Sequence, residues 1–125
     1  MTREYYEYPA LAEVYLEDSY VLQISDTSGS VRFVLDAVLK PGHPAYREPL
    51  PGEEYCYVRA ELVFVDVSKT DWISRSSQTY RDATGEEDLG NIDSFVNSGA
   101  FYELEGDWGK VHIWTVADPQ FSLLH

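Results

Sequence analysis

The chain has 125 residues, of which 44% are hydrophobic and 25% are charged. This is the composition of a globular protein long enough to form one hydrophobic core, so we predict a single domain over residues 1–125. Its 22 acidic and 9 basic residues give a formal net charge of −13. Because affinity for phosphate groups comes mainly from lysine and arginine, this balance excludes a general nucleic-acid binder or a binder of anionic membranes.

The start of the chain and its single cysteine indicate the cellular setting. Residues 1–8 contain no apolar signal-peptide core, and no segment of the sequence reaches transmembrane length. Cys56 is the only cysteine, so it cannot form an internal disulfide or a multi-thiolate metal site. Its apolar neighbours predict a small core residue. We therefore predict a cytoplasmic protein.

The first part of the chain shows the patterns of β-structure. Strands are predicted over residues 14–25, 31–39, 54–67 and 70–74. Turn-forming residues at 26–30 join the first two strands into an antiparallel hairpin. In residues 31–39 apolar side chains alternate with polar ones, which is typical of a strand with one buried face. Residues 41–52 hold four of the six prolines and predict a loop, because proline cannot donate to a ladder.

The second part predicts further strands and one helix. Residues 79–91 are polar and irregular, and Asn91 or Asp93 is expected to cap a short helix that ends at Ser98. Three further strands are predicted over residues 101–105, 110–116 and 120–124. A tight turn at residues 106–109 joins the first two of them. About seven short strands and one short helix predict a mainly β fold, either an antiparallel sandwich or a partly open barrel.

The stretch between Arg81 and Lys110 contains no positive charge but eight acidic residues, which are Asp82, Glu86, Glu87, Asp88, Asp93, Glu103, Glu105 and Asp107. A region of one sign repels nucleic acid and attracts cationic partners. It contains an acidic loop, residues 82–93, and an acidic hairpin, residues 101–111. The residues predicted to contact a basic partner are Glu86, Glu87, Asp88, Glu103, Glu105, Asp107 and Trp108.

Aromatic residues add a second signal for a partner. An exposed Trp108 at the tip of the acidic hairpin would suit a lysine- or arginine-bearing partner by cation–π contact. The alternative is that Trp108 folds back and covers one open end of the sandwich. The chain also has ten tyrosines, a residue that suits interfaces and strands equally, and we expect most of them to pack in the core.

The acidic loop superficially resembles a calcium loop. Oxygen donors occupy the first, third, fifth, seventh and twelfth places of a twelve-residue window, which are Asp82, Thr84, Glu86, Asp88 and Asp93. The sixth place holds Glu87 instead of the glycine that permits the sharp turn, so we predict no metal site.

Catalytic patterns are weaker still. Glu103 and Glu105 share one face of a strand, but they would tune each other for acid–base chemistry only if buried. The three histidines, His43, His112 and His125, do not have the spacing of a metal motif. The serines lack a nucleophile-elbow context, and no glycine-rich phosphate loop occurs. We predict no catalytic residue and no cofactor.

Two segments carry a resemblance to known proteins. EEDLGNID at residues 86–93 and YELEGDWGKVHI at residues 102–113 resemble a group of small uncharacterised bacterial proteins common among actinobacteria. The tyrosine-rich start of the chain is similar as well, and the resemblance implies a single β-rich domain without known catalytic residues. The hairpin at residues 104–113 also resembles a strand–Gly-Asp-Trp-Gly–strand pattern in immunity proteins of polymorphic toxin systems. That second resemblance implies neutralisation of a toxin by binding.

The sequence thus predicts a non-enzymatic domain that binds a basic protein, with an immunity protein as the specific form. The alternative is a small-ligand-binding β-domain, or a small enzyme, with an aromatic-lined pocket inside the sandwich. The sequence leaves both a monomer and a homodimer open. Unpaired sheet edges favour a dimer, whereas a charge of −13 on each chain opposes it.

Overall fold

The computed structural model describes residues 2–81 and 85–124, and the predicted mainly β fold is confirmed. Strands make up 56% of the structure and helix 5%. The described residues form strands β1 (Arg3–Glu4), β2 (Val14–Thr27), β3 (Ser30–Leu39), β4 (Cys56–Phe64), β5 (Lys69–Arg75), β6 (Tyr80–Arg81), β7 (Glu87–Asp88), β8 (Ile92–Asn97), β9 (Tyr102–Gly106), β10 (Gly109–Trp114) and β11 (Gln120–Leu123). Two short 3-10 helices, Tyr5–Glu7 and Pro9–Leu11, lie between β1 and β2.

The strands form two main antiparallel sheets that are not closed into a barrel. The five-stranded sheet has the order β1-β8-β9-β10-β5, and the four-stranded sheet has the order β11-β4-β3-β2. Strands β6 and β7 form a separate pair. Among the described residues, no helix is long and apolar enough to cross a membrane.

The inner faces of the two sheets share one hydrophobic core. The alternation in β3 places its apolar side chains inward, so Phe33, Leu35 and Ala37 are fully buried. Phe64 of the four-stranded sheet packs against Tyr102 of the five-stranded sheet, with 5.2 Å between the ring centroids. Cys56 belongs to this core, as its apolar neighbours predict. The sequence pattern therefore identified the inner face of the hairpin correctly.

The predicted helix ending at Ser98 is wrong, because Ile92–Asn97 forms strand β8. Its pairing with β9 shifts between Ile92 and Ser94, so Asp93 is an extra residue in the strand. This bulge places the buried Ile92 and Phe95 three positions apart, which imitates the spacing of a helix face. The helix was predicted from its capping residue, Asn91 or Asp93, and this residue type alone does not distinguish a helix start from a bulged strand.

Candidate functional site

Three carboxylates converge where β8 begins and where the turn between β9 and β10 lies. We call Asp93, Glu105 and Asp107 the acidic corner. Partial burial raises the pKa of Asp93, and the negative charges of Asp107 and Glu105 raise it further. Asp107 Oδ2 also accepts a hydrogen bond from the Asn91 backbone N–H at 3.1 Å. The fold therefore joins the end of the acidic loop to the acidic hairpin.

Gly90 allows this close approach. Its φ of 97° lies in the left-handed region, and a Cβ atom at this position would overlap the Asp107 carboxylate. The Gly90 backbone N–H donates to Asp88 Oδ1 at 2.8 Å, which fixes the chain before the corner. Glycine is thus required at this point for both its backbone conformation and its size.

The other acids predicted to contact a partner from the acidic loop are engaged within the chain. Glu86 forms an ion pair with Arg59, with 3.1 Å between Oε1 and Nη2. Glu87 forms an ion pair with Arg81 across the two-stranded sheet. Asp88 is buried and accepts the Gly90 N–H described above. These three acids lie outside the acidic corner.

Glu103 is also engaged, on the outer face of the five-stranded sheet. Its Oε2 lies 2.8 Å from His112 Nε2, and its Oε1 lies 3.8 Å from Lys110 Nζ. The His112 ring stacks on Phe101 with 4.2 Å between centroids. Glu103 therefore balances two basic groups of its own sheet, although it shares a strand face with Glu105 of the acidic corner.

Trp108 does not lie exposed at the hairpin tip, so that prediction is wrong. Its side chain has an exposed fraction of 0% and packs edge-on against Phe33 at 5.3 Å. The indole Nε1 donates to the Asn91 carbonyl oxygen at 3.0 Å. Gly106 permits this position, because a Cβ atom there would overlap both the Asn91 carbonyl and the indole. The alternative interpretation, in which Trp108 folds back onto the sandwich, is the observed one.

Every lysine and arginine of the chain lies in the described residues and is engaged internally. Five form ion pairs with carboxylates, namely Arg32, Arg47, Arg59, Arg81 and Lys110. Four lie over aromatic rings, namely Arg3, Lys40, Lys69 and Arg75. The excess negative charge of the chain is therefore left to solvent or to a partner.

The expectation that most tyrosines pack in the core is wrong, since only Tyr5, Tyr8 and Tyr102 are core residues among the ten. Four others form a continuous row on the outer face of the four-stranded sheet. We call this row the tyrosine platform, and its members are Tyr15, Tyr55, Tyr57 and Tyr20. Successive ring centroids are 6.4, 6.1 and 6.0 Å apart. The exposed fractions of Tyr15 and Tyr20 are 37% and 38%.

A wide bulge in β2 creates the platform. Tyr15 pairs with Val38 and Tyr20 pairs with Asp36, so four residues of β2 face one residue of β3. Side chains five positions apart would point to opposite faces of a regular strand, but here both tyrosines face outward. The buried Ser19 hydroxyl closes the gap, because it accepts the Val38 N–H at 2.8 Å and donates to the Tyr15 carbonyl at 2.7 Å.

Carboxylates border the platform. Asp18 Oδ2 accepts a hydrogen bond from the Tyr55 hydroxyl at 2.9 Å, and this bond is the main reason that the pKa of Tyr55 is raised to about 12. Burial, together with Tyr20, raises the pKa of Tyr57 to about 12, and the charges of Glu54 and Asp18 contribute. The platform is therefore a row of neutral aromatic rings beside negative charges.

The acidic corner and the tyrosine platform meet at Asn91. The Asn91 side-chain Nδ2 donates to the Ser19 carbonyl at 2.7 Å, next to Tyr20. The same residue donates its backbone N–H to Asp107, as described above. The Val21 N–H donates to the Gly90 carbonyl at 2.8 Å, which ties β2 to this segment. Asn91 is thus hydrogen-bonded both to the bulge that carries Tyr20 and to the acidic corner.

Two of the depressions on the described part of the chain bear on binding. A cavity of about 550 Å³ lies at the end of the sandwich opposite the β9–β10 turn. Three of its polar groups already form hydrogen bonds within the chain, since Asn97 Nδ2 donates to the Tyr8 hydroxyl and the Tyr102 hydroxyl donates to the Ala117 carbonyl. A smaller groove of about 280 Å³ adjoins the platform between Tyr15, Tyr55 and the proline-rich loop.

The calcium-like spacing falls partly outside the described residues, which do not include Asp82 or Thr84. In the part of the chain that is described, no group of three or more His, Cys, Asp or Glu side chains is arranged to hold a metal ion. Strand β5 forms one edge of the five-stranded sheet, with Ile73 exposed. A homodimer through such an edge stays a prediction.

Comparisons with protein-family models, with curated proteins and with solved structures gave no significant match for this chain. The resemblances to actinobacterial β-rich proteins and to immunity proteins therefore stay predictions.

Proposed function

We propose that this chain is a non-enzymatic domain that binds a positively charged protein. The observation that carries the proposal is the internal use of all nine cationic side chains, beside a corner where three carboxylates converge. Like charges held together repel each other, and a cation from a partner would relieve this repulsion. A field of one sign also speeds encounter with a partner of opposite sign.

The acidic corner is the place where we expect this partner to contact the chain. Asp93 and Glu105 are exposed, and the paired strands β8 and β9 hold them in place. Preformed charge on a rigid element loses little entropy when the partner binds, which favours affinity. Glu86, Glu87 and Glu103 already have cationic neighbours, so they add to the field rather than to the contact.

Affinity capture from the source cells tests this proposal, with the wild-type chain and two double variants as baits. Asp93→Asn with Glu105→Gln removes two charges from the acidic corner, and the net charge changes from −13 to −11. Glu48→Gln with Asp66→Asn removes the same charge from exposed sites elsewhere. Asp66 lines the cavity at the opposite end of the sandwich, so this control leaves the corner intact.

We expect a basic protein that is retained by the wild type and by the control, and an affinity about tenfold lower for the corner variant. An equal loss for both variants would mean that only net charge matters and would contradict the proposal. A captured partner without excess positive charge would contradict it as well.

Within this proposal, the specific role is that of an immunity protein that neutralises a basic toxin. The support is the Gly-Asp-Trp-Gly hairpin pattern together with the negative corner beside it. Co-expression with a toxic protein encoded beside the gene tests this role, and the chain should restore growth. Growth that is restored equally well by the corner variant would place the neutralising contact elsewhere.

Small-ligand binding is the second candidate function, and the 550 Å³ cavity favours it because its volume lies in the range of ligand pockets. An aromatic compound could contact the rings of Tyr8 and Trp114 and place an anionic group at Arg3, whereas the Asp66 and Asp118 carboxylates in the lining would repel that group elsewhere in the cavity. Titration with 8-anilinonaphthalene-1-sulfonate, compared between the wild type and Arg3→Gln, tests this candidate. Absence of a fluorescence change in the wild type would contradict it.

A further inference from the structure

We propose that the tyrosine platform is the contact surface for an arginine-bearing segment of the partner, and that it selects arginine over lysine. The inference rests on the proposed function, because it names a second contact for the same basic protein. The acidic corner attracts any positive charge, whereas stacked rings distinguish one cation from another.

The aromatic surface is large and continuous. Four rings follow one another across β2, β3 and β4, and the Tyr20 and Tyr57 rings stack with an interplanar angle of 30°. Val38 has an exposed fraction of only 2%, although it lies on the outer face of β3 next to Tyr15. The platform thus has a firm apolar base and is held in place by packing.

Ser19 holds the bulge through three hydrogen bonds. Its hydroxyl donates to the Tyr15 carbonyl and accepts from the Val38 N–H, and its carbonyl accepts from Asn91. The buried Ser19 hydroxyl has hydrogen-bond partners, so the bulge that keeps Tyr20 on the outer face costs little stability. Irregular strands of this kind are often found where a side chain is directed toward a binding site.

The charges around the platform favour a cation. Asp18 lies within hydrogen-bond distance of the Tyr55 hydroxyl, and the Glu54 carboxylate is near enough to affect Tyr55 and Tyr57. The chain already places one cation here, since Lys40 Nζ lies 5.8 Å from the centroid of the Tyr15 ring. Because Lys40 already lies over the Tyr15 ring, a partner cation would find the rings of Tyr20, Tyr55 and Tyr57 beside the Asp18 carboxylate.

The groove beside the platform sets the size of the occupant. Its volume of about 280 Å³ is below the usual range for ligand pockets, so it suits a single long side chain of a docked segment. Tyr15, Tyr55, Tyr46 and Pro41 give it apolar walls, and its charged lining residues are Glu54 and Lys40. This combination matches the apolar stem and charged head of arginine.

Arginine fits this surface better than lysine for a physical reason. Its guanidinium group is planar and weakly hydrated, so it stacks on a ring and still donates hydrogen bonds in its plane to a carboxylate. The lysine ammonium is strongly hydrated and must lose that water to approach a ring. Asn91 hydrogen-bonds to the bulge and to the acidic corner, so the fold fixes the positions of the two regions relative to each other.

A titration with two short peptides tests the inference. The probes are acetylated and amidated Gly-Arg-Gly-Arg-Gly-Arg and its lysine counterpart, which carry equal charge. Each is added to the full isotope-labelled chain and followed by nuclear magnetic resonance, including the tyrosine ring signals. We expect the arginine peptide to bind about fivefold more tightly and to shift the signals of the platform tyrosines.

Two double variants distinguish the effect of the platform tyrosines from the effect of losing any two exposed tyrosines. Tyr15→Leu with Tyr20→Leu keeps an apolar cover over Val38 but removes two ring faces. Tyr6→Leu with Tyr80→Leu removes two exposed tyrosines elsewhere. We expect the preference for arginine to disappear in the platform variant and to persist in the control. If the platform variant does not fold, the ring signals of the wild type still decide the question.

The outcomes of the two tests are distinguishable. Equal affinity for both peptides, with signal changes confined to the acidic corner, would overturn the platform and leave the proposed function in place. A preference for arginine that survives in the platform variant would also overturn it. The proposed function fails separately, when the capture experiment shows the same loss for the corner variant and its control.

Discussion

Trp108 in the β9–β10 turn and Tyr20 at the β2 bulge each face the opposite way from what their positions in the sequence indicate. Trp108 occupies a hairpin turn and is buried, whereas Tyr20 lies within a long strand and is exposed. Gly106 makes room for the indole at the turn, and the inserted residues of the bulge rotate Tyr20 outward. Backbone irregularity and small neighbouring residues therefore decide the direction of these aromatic side chains more than the type of element that carries them.

One residue bonds to both regions. The Asn91 carbonyl accepts from Trp108, and the Asn91 side chain donates to the Ser19 carbonyl in the bulge. The turn is therefore part of the core and the bulge is part of the surface, but both depend on the same short segment. Substitutions in the turn and in the bulge test how strongly each region depends on its bonds to the segment around Asn91.

The largest effect is expected at Trp108. Trp108→Ala should lower the free energy of unfolding by about 3–5 kcal/mol, because it leaves a cavity next to Phe33 and removes the bond to Asn91. Urea denaturation followed by circular dichroism measures this loss. Trp114→Ala, at a partly exposed ring on the outer face, serves as the control and should cost less. A loss below about 1 kcal/mol for Trp108→Ala would contradict the buried position of the indole.

Gly90→Ala should have the next largest effect, about 2–3 kcal/mol, since it combines an unfavourable φ with overlap on the Asp107 carboxylate. Gly29→Ala is a matched control, because Gly29 also has a positive φ but has open space around it. That control should lose about 1 kcal/mol. Amide exchange at Val21 should become faster only in Gly90→Ala, because the Val21 N–H donates to the Gly90 carbonyl.

Ser19→Ala tests the bulge directly and should cost about 1–3 kcal/mol. It removes the hydroxyl acceptor of the Val38 N–H, and a buried donor without a partner is unfavourable. Ser122→Ala, at an exposed position of β11, should change stability by less than about 0.5 kcal/mol. Equal values for the two variants in urea denaturation would show that Ser19 does not stabilise the bulge.

The smallest effect is expected at the acidic corner and depends on pH. The raised pKa of Asp93 means that folding favours its protonated form, so its ionised form lowers stability above the folded-state pKa. This penalty disappears as the pH falls through that pKa. Asp93→Asn should therefore increase stability at pH 7 by at most about 0.5 kcal/mol, because solvent screens an exposed carboxylate.

Thermal unfolding at low salt, at pH 7 and near pH 3, measures this difference between Asp93→Asn and the wild type. The gain should vanish at the lower pH, where Asp93 is protonated in both states. Glu48→Gln removes one carboxylate from an exposed site outside the acidic corner and serves as the control. A gain for Asp93→Asn that persists near pH 3 would contradict repulsion within the corner.

Much of the fold could be predicted from local patterns, and the exceptions have a common physical cause. The alternation in β3 reports its buried face directly, because a regular strand has a period of two. Strand β8 could not be recognised, since the extra Asp93 converts that period into a helical spacing. The outward position of Tyr20 depends on Ser19 reaching Val38 of another strand, and such long-range contacts leave no local signal.

The site could be predicted in part. Glu105 and Asp107, which the sequence analysis predicted as partner contacts, lie in the acidic corner, and the hairpin was placed correctly. The contribution of Asp93 was missed because its strand was taken for a helix. The tyrosine platform was missed because its rings come from two strands that are separated by β3 in the sheet. The spacing of Tyr15 and Tyr20 across a segment with two acids is the one local signal that could have indicated a bulge.

The internal engagement of all nine lysines and arginines also has a consequence for the evolution of this surface. Loss of any of these cations removes an internal contact and increases the net negative charge, whereas loss of an exposed acid such as Glu48 does neither. In descendants of this sequence, the nine basic positions should therefore change more slowly than the exposed acidic ones outside the acidic corner. Divergence would in this way preserve an acidic protein whose few cations all stabilise its own fold.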